Sequence, residues 1–253
     1  MHGLRVSLTL VAAVWAMVPC FGQELPSAPK GEEAALTVLK PLGASVDLDD
    51  QGRVQTLELV SEKLTDADLA QLKGLVALES LDLGRGRIDD KALASLAGLT
   101  GLKRLYLHDL PITDAALEHL EPLVNLEVLS LKNTKVDGTG LKHLAKLSKL
   151  RVLNLSDTRV SDAGLAQLKP LADLDTLALE NTKVTGEGLP HLRLLEKLRV
   201  LNLSGCTITN ADLDRLVGHD ALRMLYVKRC DVTESGVKNF KKKMISLAVY
   251  FWE

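Results

Sequence analysis

The chain is 253 residues long, 46% hydrophobic but only 3% aromatic, with a formal net charge of −2 and an isoelectric point near 6.3. That balance excludes a general nucleic-acid binder, which carries a strong basic excess, and three Cys are too few to staple a chain of this size. A core rich in apolar residues yet poor in rings must be built from Leu, Val, Ile and Ala, which suits stacked identical layers.

Residues 1–22 are a different material. Arg5 carries the segment's only full charge, residues 6–18 form an apolar run too short to cross a bilayer comfortably, and Cys20 and Gly22 are small residues at positions −3 and −1 before Gln23. This is the layout of a cleaved secretory signal, and it predicts a periplasmic or extracellular protein with no membrane span in the mature chain. Lipid attachment at Cys20 fits less well, because Pro19 stands where a lipid-attachment motif wants a small residue.

Residues 23–53 read as a linker and an N-terminal cap. Residues 32–42 have apolar residues at helical spacing until Pro41, and residues 45–59 read as strand, turn and strand around Asp50, Gln51 and Gly52. From there a 24-residue period takes over. Units begin at Val54, Leu78, Leu102, Leu126, Leu150, Leu174, Leu198 and Leu222, eight in all, and run to about residue 245. Unit position 4 is always Leu, position 6 is Leu until Val227, and position 11 is Leu, Ile or Val. Positions 16, 19 and 22 are Leu through the first six units.

Alternation at positions 4 and 6 predicts a short strand, and the spacing of three at positions 16, 19 and 22 predicts one face of a short helix. Thr113, Ser161, Thr185 and Thr209 at position 12 are expected N-caps, with Asp at position 13 favouring the positive helix end. Neither element buries its apolar face alone, so the units must stack. Strands about 4.8 Å apart against helices roughly 10 Å wide put the sheet on the inside of a curve. Residues 246–253, with Phe251 and Trp252, are expected to close the last core face.

The pattern L-x-x-L-x-L-x-x-T-x-V followed by L-x-x-L-x-x-L resembles the leucine-rich repeat family over almost the whole chain after residue 22, especially its ribonuclease-inhibitor-like branch. The units are similar to those of exported bacterial repeat proteins and of F-box substrate receptors. The resemblance implies an α/β fold, a right-handed horseshoe with a parallel concave sheet, and a protein- or peptide-binding role without catalysis. A ubiquitin-ligase receptor would need an adaptor-binding F-box, and residues 23–53 are too short for one. The family often places Asn at position 9, whereas Gly86 and Leu110 stand there in the second and third units, whose turns are therefore expected to be less regular.

The residues free to vary lie on the strand face, where Tyr and Arg are favoured binding anchors. The candidate partner-binding set is Arg104, Tyr106, His108, Ser130, Lys132, Asn154, Asn202, Met224, Tyr226 and Lys228. A second row at position 10, Lys63, Arg87, Lys135, Arg159 and Lys183, points to one rim; it is either a solubilising edge or a track for an anionic envelope polymer. Cys206 and Cys230, one unit apart, read as buried free thiols, with a disulfide as the alternative. His119, His143 and His191 share a polar, solvent-facing slot rather than a metal stripe, and no cofactor is implied. Gly84, Arg85 and Gly86 lack the third glycine of a dinucleotide loop, and no P-loop, G-x-S-x-G or H-E-x-x-H motif occurs. Asn154 and Asn202 open glycosylation sequons that arise from the repeat itself. The signal reading predicts that protein recovered from its native compartment begins at Gln23 on N-terminal sequencing; a chain starting at Met1 refutes cleavage.

Overall fold

The computed structural model describes residues 30–252; the signal segment, Cys20 and the start of the linker lie outside them. A helix, Lys30–Leu39, leads into a ten-stranded sheet whose strands follow one another in chain order. They are β1 (Ser45–Leu48), β2 (Val54–Glu58), β3 (Ser80–Asp82), β4 (Arg104–Tyr106), β5 (Val128–Ser130), β6 (Val152–Asn154), β7 (Thr176–Ala178), β8 (Val200–Asn202), β9 (Met224–Tyr226) and β10 (Ala248–Tyr250). β1 pairs antiparallel with β2, and every later pair is parallel. Leu57 faces Leu81, Leu81 faces Leu105, and the register continues so to Val249 on Leu225. Like residues therefore stack on like, and the position-4 leucines are fully buried.

The return side is thinner than the sequence suggests. Units two to four make single 3₁₀ segments, Lys91–Leu96, Asp114–Leu120 and Leu141–Lys146, and other units mix one α-turn with 3₁₀. A strict apolar spacing of three is compatible with a helix of three residues per turn, and the same spacing also sits in α-turns, as Leu189 and Leu192 do. Only the closing helix Glu234–Lys243 reaches ten residues among the segments after β2.

The position-13 acids tie units together rather than serving their own helix ends. Asp90 accepts from the backbone N–H and the hydroxyl of Thr113, at 2.7 and 2.6 Å, and Asp162 does the same for Thr185. Asp114 accepts from the backbone N–H groups of Asp137, Gly138 and Gly140; a Cβ on Gly140 would stand 2.5 Å from the Asp114 carbonyl oxygen. Thr113 and Thr185 do cap their turns and Thr209 forms a capping box, but Ser161 makes no side-chain cap.

The second and third turns are as regular as the rest. Position 8 is left-handed in each, with φ of 64° at Arg85 and 58° at Asp109 against 53° at Asn133 and 59° at Asp157. The conformation is imposed by the strand ladder, since Arg85 donates to the His108 carbonyl and Asp109 to that of Lys132. At position 9, Thr134, Thr158 and Thr182 donate to carbonyls three residues back, whereas Leu110 simply packs in the core.

Both ends of the stack are dressed. In later units the position-1 N–H donates to the position-22 carbonyl of the unit before, as Leu78 does to Leu75. Val54 has no unit before it, and the buried Glu32 carboxylate takes its N–H at 2.7 Å. At the far end β10 continues the register of β9; Phe251 is half-buried, but Trp252 is 65% exposed and so adds little to the closure expected of it. The apolar stripe does not simply fail at His219, which is buried with its ring nitrogen 3.2 Å from the Leu192 carbonyl oxygen. Burial pushes this imidazole below its ordinary value and favours its neutral form. Glu32→Ala leaves the Val54 N–H buried and unanswered, and denaturant unfolding is expected to show a loss of about 1–3 kcal/mol; Glu32→Gln, which keeps an acceptor, is expected to lose less.

Candidate functional site

The sheet's open face carries positions 3, 5 and 7 of each unit. At position 5, Tyr106 on β4 and Tyr226 on β9 stand five strands apart, about 24 Å at roughly 4.8 Å per strand. Between them position 5 holds Ser130, Asn154, Ala178 and Asn202, none larger than Asn, over a position-3 row of Val128, Val152, Thr176 and Val200. The result is a shallow trough with a β-branched floor and a tyrosine at each end. Tyr226 stacks on Tyr250 of β10, with ring centroids 4.6 Å apart, and its hydroxyl reaches the Met224 sulfur at 3.8 Å. The sequence did not single out Tyr250; the signal was its place 24 residues after Tyr226.

Several candidates are committed to the scaffold. The side-chain oxygens of Asn154 and Asn202 accept from the backbone N–H of Ser156 and Ser204, at 2.9 and 3.0 Å, and Asn202 and Ser130 are buried. They form the floor of the trough rather than reaching out of it, and the same bonds explain the two sequons as local turns. Lys132 pairs with Asp157 at 3.6 Å. Arg104, Tyr106, Met224, Tyr226 and Lys228 are partly exposed.

His108 is the most elaborated residue of the set. Its Nε2 lies 3.3 Å from Asp82 and its Nδ1 3.0 Å from Asp109, with the ring laid over Gly84. A Cβ at Gly84 would meet the ring at 2.2 Å, so glycine is what admits the histidine. Hydrogen bonding to Asp82, then to Asp109, raises the imidazole above its ordinary 6.5. Asp109 is held below the usual carboxylate range, first by the Asn133 amide and then by His108. Burial pushes the Tyr106 phenol up. With both ring nitrogens engaged by carboxylates, His108 has none left to activate a nucleophile.

The basic rim residues share one edge of the stack. Lys63, Arg87, Lys135, Arg159 and Lys183 are all exposed, and the backbone N–H groups of Lys135, Arg159 and Lys183 each bond the position-11 carbonyl of the unit before. Pro111, which has no N–H, breaks the row. Cys206 and Cys230 are unbridged, their thiols donating to the carbonyls of Leu179 and Leu203. Burial pushes the Cys230 thiol up to about 11, so it is not a nucleophile at neutral pH. His143 pairs with Glu121 at 2.7 Å, and among the described residues no three His, Cys, Asp or Glu side chains are grouped to hold a metal ion.

A leucine-rich repeat family model matches residues 146–168 and 195–217. The fold is similar to that of internalin C2 from Listeria monocytogenes, at a TM-score of 0.63 and 21% identity, over 89% of this chain and 92% of that one. It is also similar to the leucine-rich repeat ectodomain of the Arabidopsis receptor kinase HAESA, solved with an N-terminally extended IDA peptide hormone. There the TM-score is 0.62 and the identity 19%, over 88% of this chain and 41% of that one. Among curated proteins, none matches by sequence. Those two segments thus carry leucine-rich repeats, and the chain has the solenoid fold of these structures.

The geometry at His108 makes a sign-definite expectation. Its raised value means the folded state holds the proton more tightly than the unfolded chain, so its contribution to stability is full below 6.5 and is lost as pH rises through the folded value. NMR titration of the imidazole is expected to place it above 6.5, and Asp82→Asn to bring it down.

Proposed function

We propose that this protein is an exported, non-enzymatic scaffold that captures a protein or peptide on the open, concave face of its sheet. The observation that carries the reading is the trough: a smooth β-branched floor closed at each end by a half-exposed tyrosine, one of them backed by a second ring and a thioether. Large, stiff, amphipathic side chains on a rigid sheet lose little entropy on binding, which is why tyrosines make effective anchors. The peptide-bound receptor ectodomain of similar fold supports the reading by analogy. Export rests on the apolar segment before Gln23.

A second reading, an anionic envelope polymer on the rim, is favoured by one observation: Lys135, Arg159 and Lys183 run side by side and enter no ion pair among the described residues. One experiment separates the two. In cross-linking capture from the native compartment, Tyr106→Ala with Tyr226→Ala is expected to weaken capture about a thousandfold, at roughly 2 kcal/mol per anchor, with circular dichroism unchanged. Retained capture sinks the concave-face reading. Loss only when Lys135, Arg159 and Lys183 are all changed to Gln moves the site to the rim.

A further inference from the structure

Building on the concave-face reading, the charges around the trough narrow the partner's chemistry. The acids of this face are mostly engaged: Glu79 with Lys103, Asp82 with His108, Asp175 with Arg199, and Glu180 with Arg229. By contrast Arg104, Arg151, Arg223 and Lys228 enter no ion pair among the described residues; Arg223 donates only to the backbone carbonyls of Asp220 and Leu222. Between the two tyrosines Glu127 is the one exposed carboxylate of unit position 2, set against Arg151, Arg199 and Arg223. Where the strands begin, a depression of about 600 Å³ is lined by Arg151, Lys197, Arg199 and Arg223 together with Asp173, Asp175 and Glu196; Asp173 is taken up by Lys197 and Asp175 by Arg199.

We infer that the trough takes an extended acidic peptide, its small apolar side chains on Val152, Thr176 and Val200 and two carboxylates on Arg151 and Arg223. The spacing is set by the fold. Arg151 and Arg223 share one unit position three strands apart, about 14 Å at roughly 4.8 Å per strand. An extended chain covers that distance in about four residues at ~3.4 Å each, and residues four apart point to the same side. The ligand therefore carries Asp or Glu at i and i+4, and the full trough seats about seven residues. Arg199, between the two, is already neutralised by Asp175 at 3.6 Å and asks for no third acid.

The test is selection of a displayed library of random eight-residue peptides on the chain from residue 23 to 253. Wild type is expected to enrich Asp or Glu at i and i+4, with binding weakened about tenfold by Arg151→Glu with Arg223→Glu. That charge-reversed variant is expected to enrich Lys or Arg at the same spacing, a result a misfolded protein would not give. A neutral or basic wild-type pool, or an acidic one indifferent to the reversal, overturns the inference. A pool that depends on Tyr106 and Tyr226 but not on the arginines leaves the concave-face reading standing and removes the acidic partner; a pool that depends on neither, or no enrichment at all, removes both.

Discussion

Everything in this molecule follows from a parallel sheet held in a register of 24 residues. Each side chain lies about 4.8 Å from its own counterpart in the next unit. For leucine that is favourable, because every buried side chain meets an identical shape. For charge it is a problem, since like charges directly opposite repel. The sequence answers by alternation. Along position 8, Asp109 meets Asn133 and Asp157 meets Asn181, each amide donating to its acid at 2.7 Å. Along position 2, Glu79 meets Lys103 and Asp175 meets Arg199. The same register turns the position-13 acids into ties, because the next unit's threonine comes within their reach.

A stack has ends, and the ends are where the sequence departs from its repeat. Glu32 replaces a missing carbonyl for Val54, and a helix and an antiparallel strand cover the first core face. At the other end the register runs on into β10, and a longer, lysine-ended helix replaces the 3₁₀ returns. His219 is the odd member of that transition: it fills a leucine slot as a buried neutral ring that keeps a carbonyl partner. Without such dressing the terminal layers would expose apolar surface and unanswered N–H groups, and a solenoid loses its cooperativity from its ends inward.

The repeat, the strands, the parallel stacking and the variable face were legible in the sequence because each rests on periodicity. What was not legible rests on contacts between units. Asp at position 13 looked like a helix-start acid, and only the stacked partner 23 residues on gives it a different role. The Asp82–His108 contact spans 26 residues, and its one sequence signal is a glycine in the slot before a bulky ring, Gly84 under His108. Asn154 and Asn202 looked available because they alternate outward, yet a two-residue backbone bond holds each of them down.

Alternation also supplies a way to find function in a repeat. A residue that relieves the repulsion or the desolvation of its neighbour has its structural reason inside the chain. A cation without such a partner keeps its hydration and its field for something else. On the rim, Lys135, Arg159 and Lys183 stack as like charges and enter no ion pair among the described residues. On the sheet, Arg151 and Arg223 flank an Asp175–Arg199 pair that is already balanced. Of the two, the sheet couples its surplus charge to an apolar floor and aromatic ends, so in the proposed reading both terms of a binding free energy would act on one ligand. The rim offers charge alone, which salt screens within about 8–10 Å. On the proposed reading, selectivity would reside where like charges meet, at Arg199 and Arg223, beside a surface able to exclude water, at the Tyr226 end of the trough.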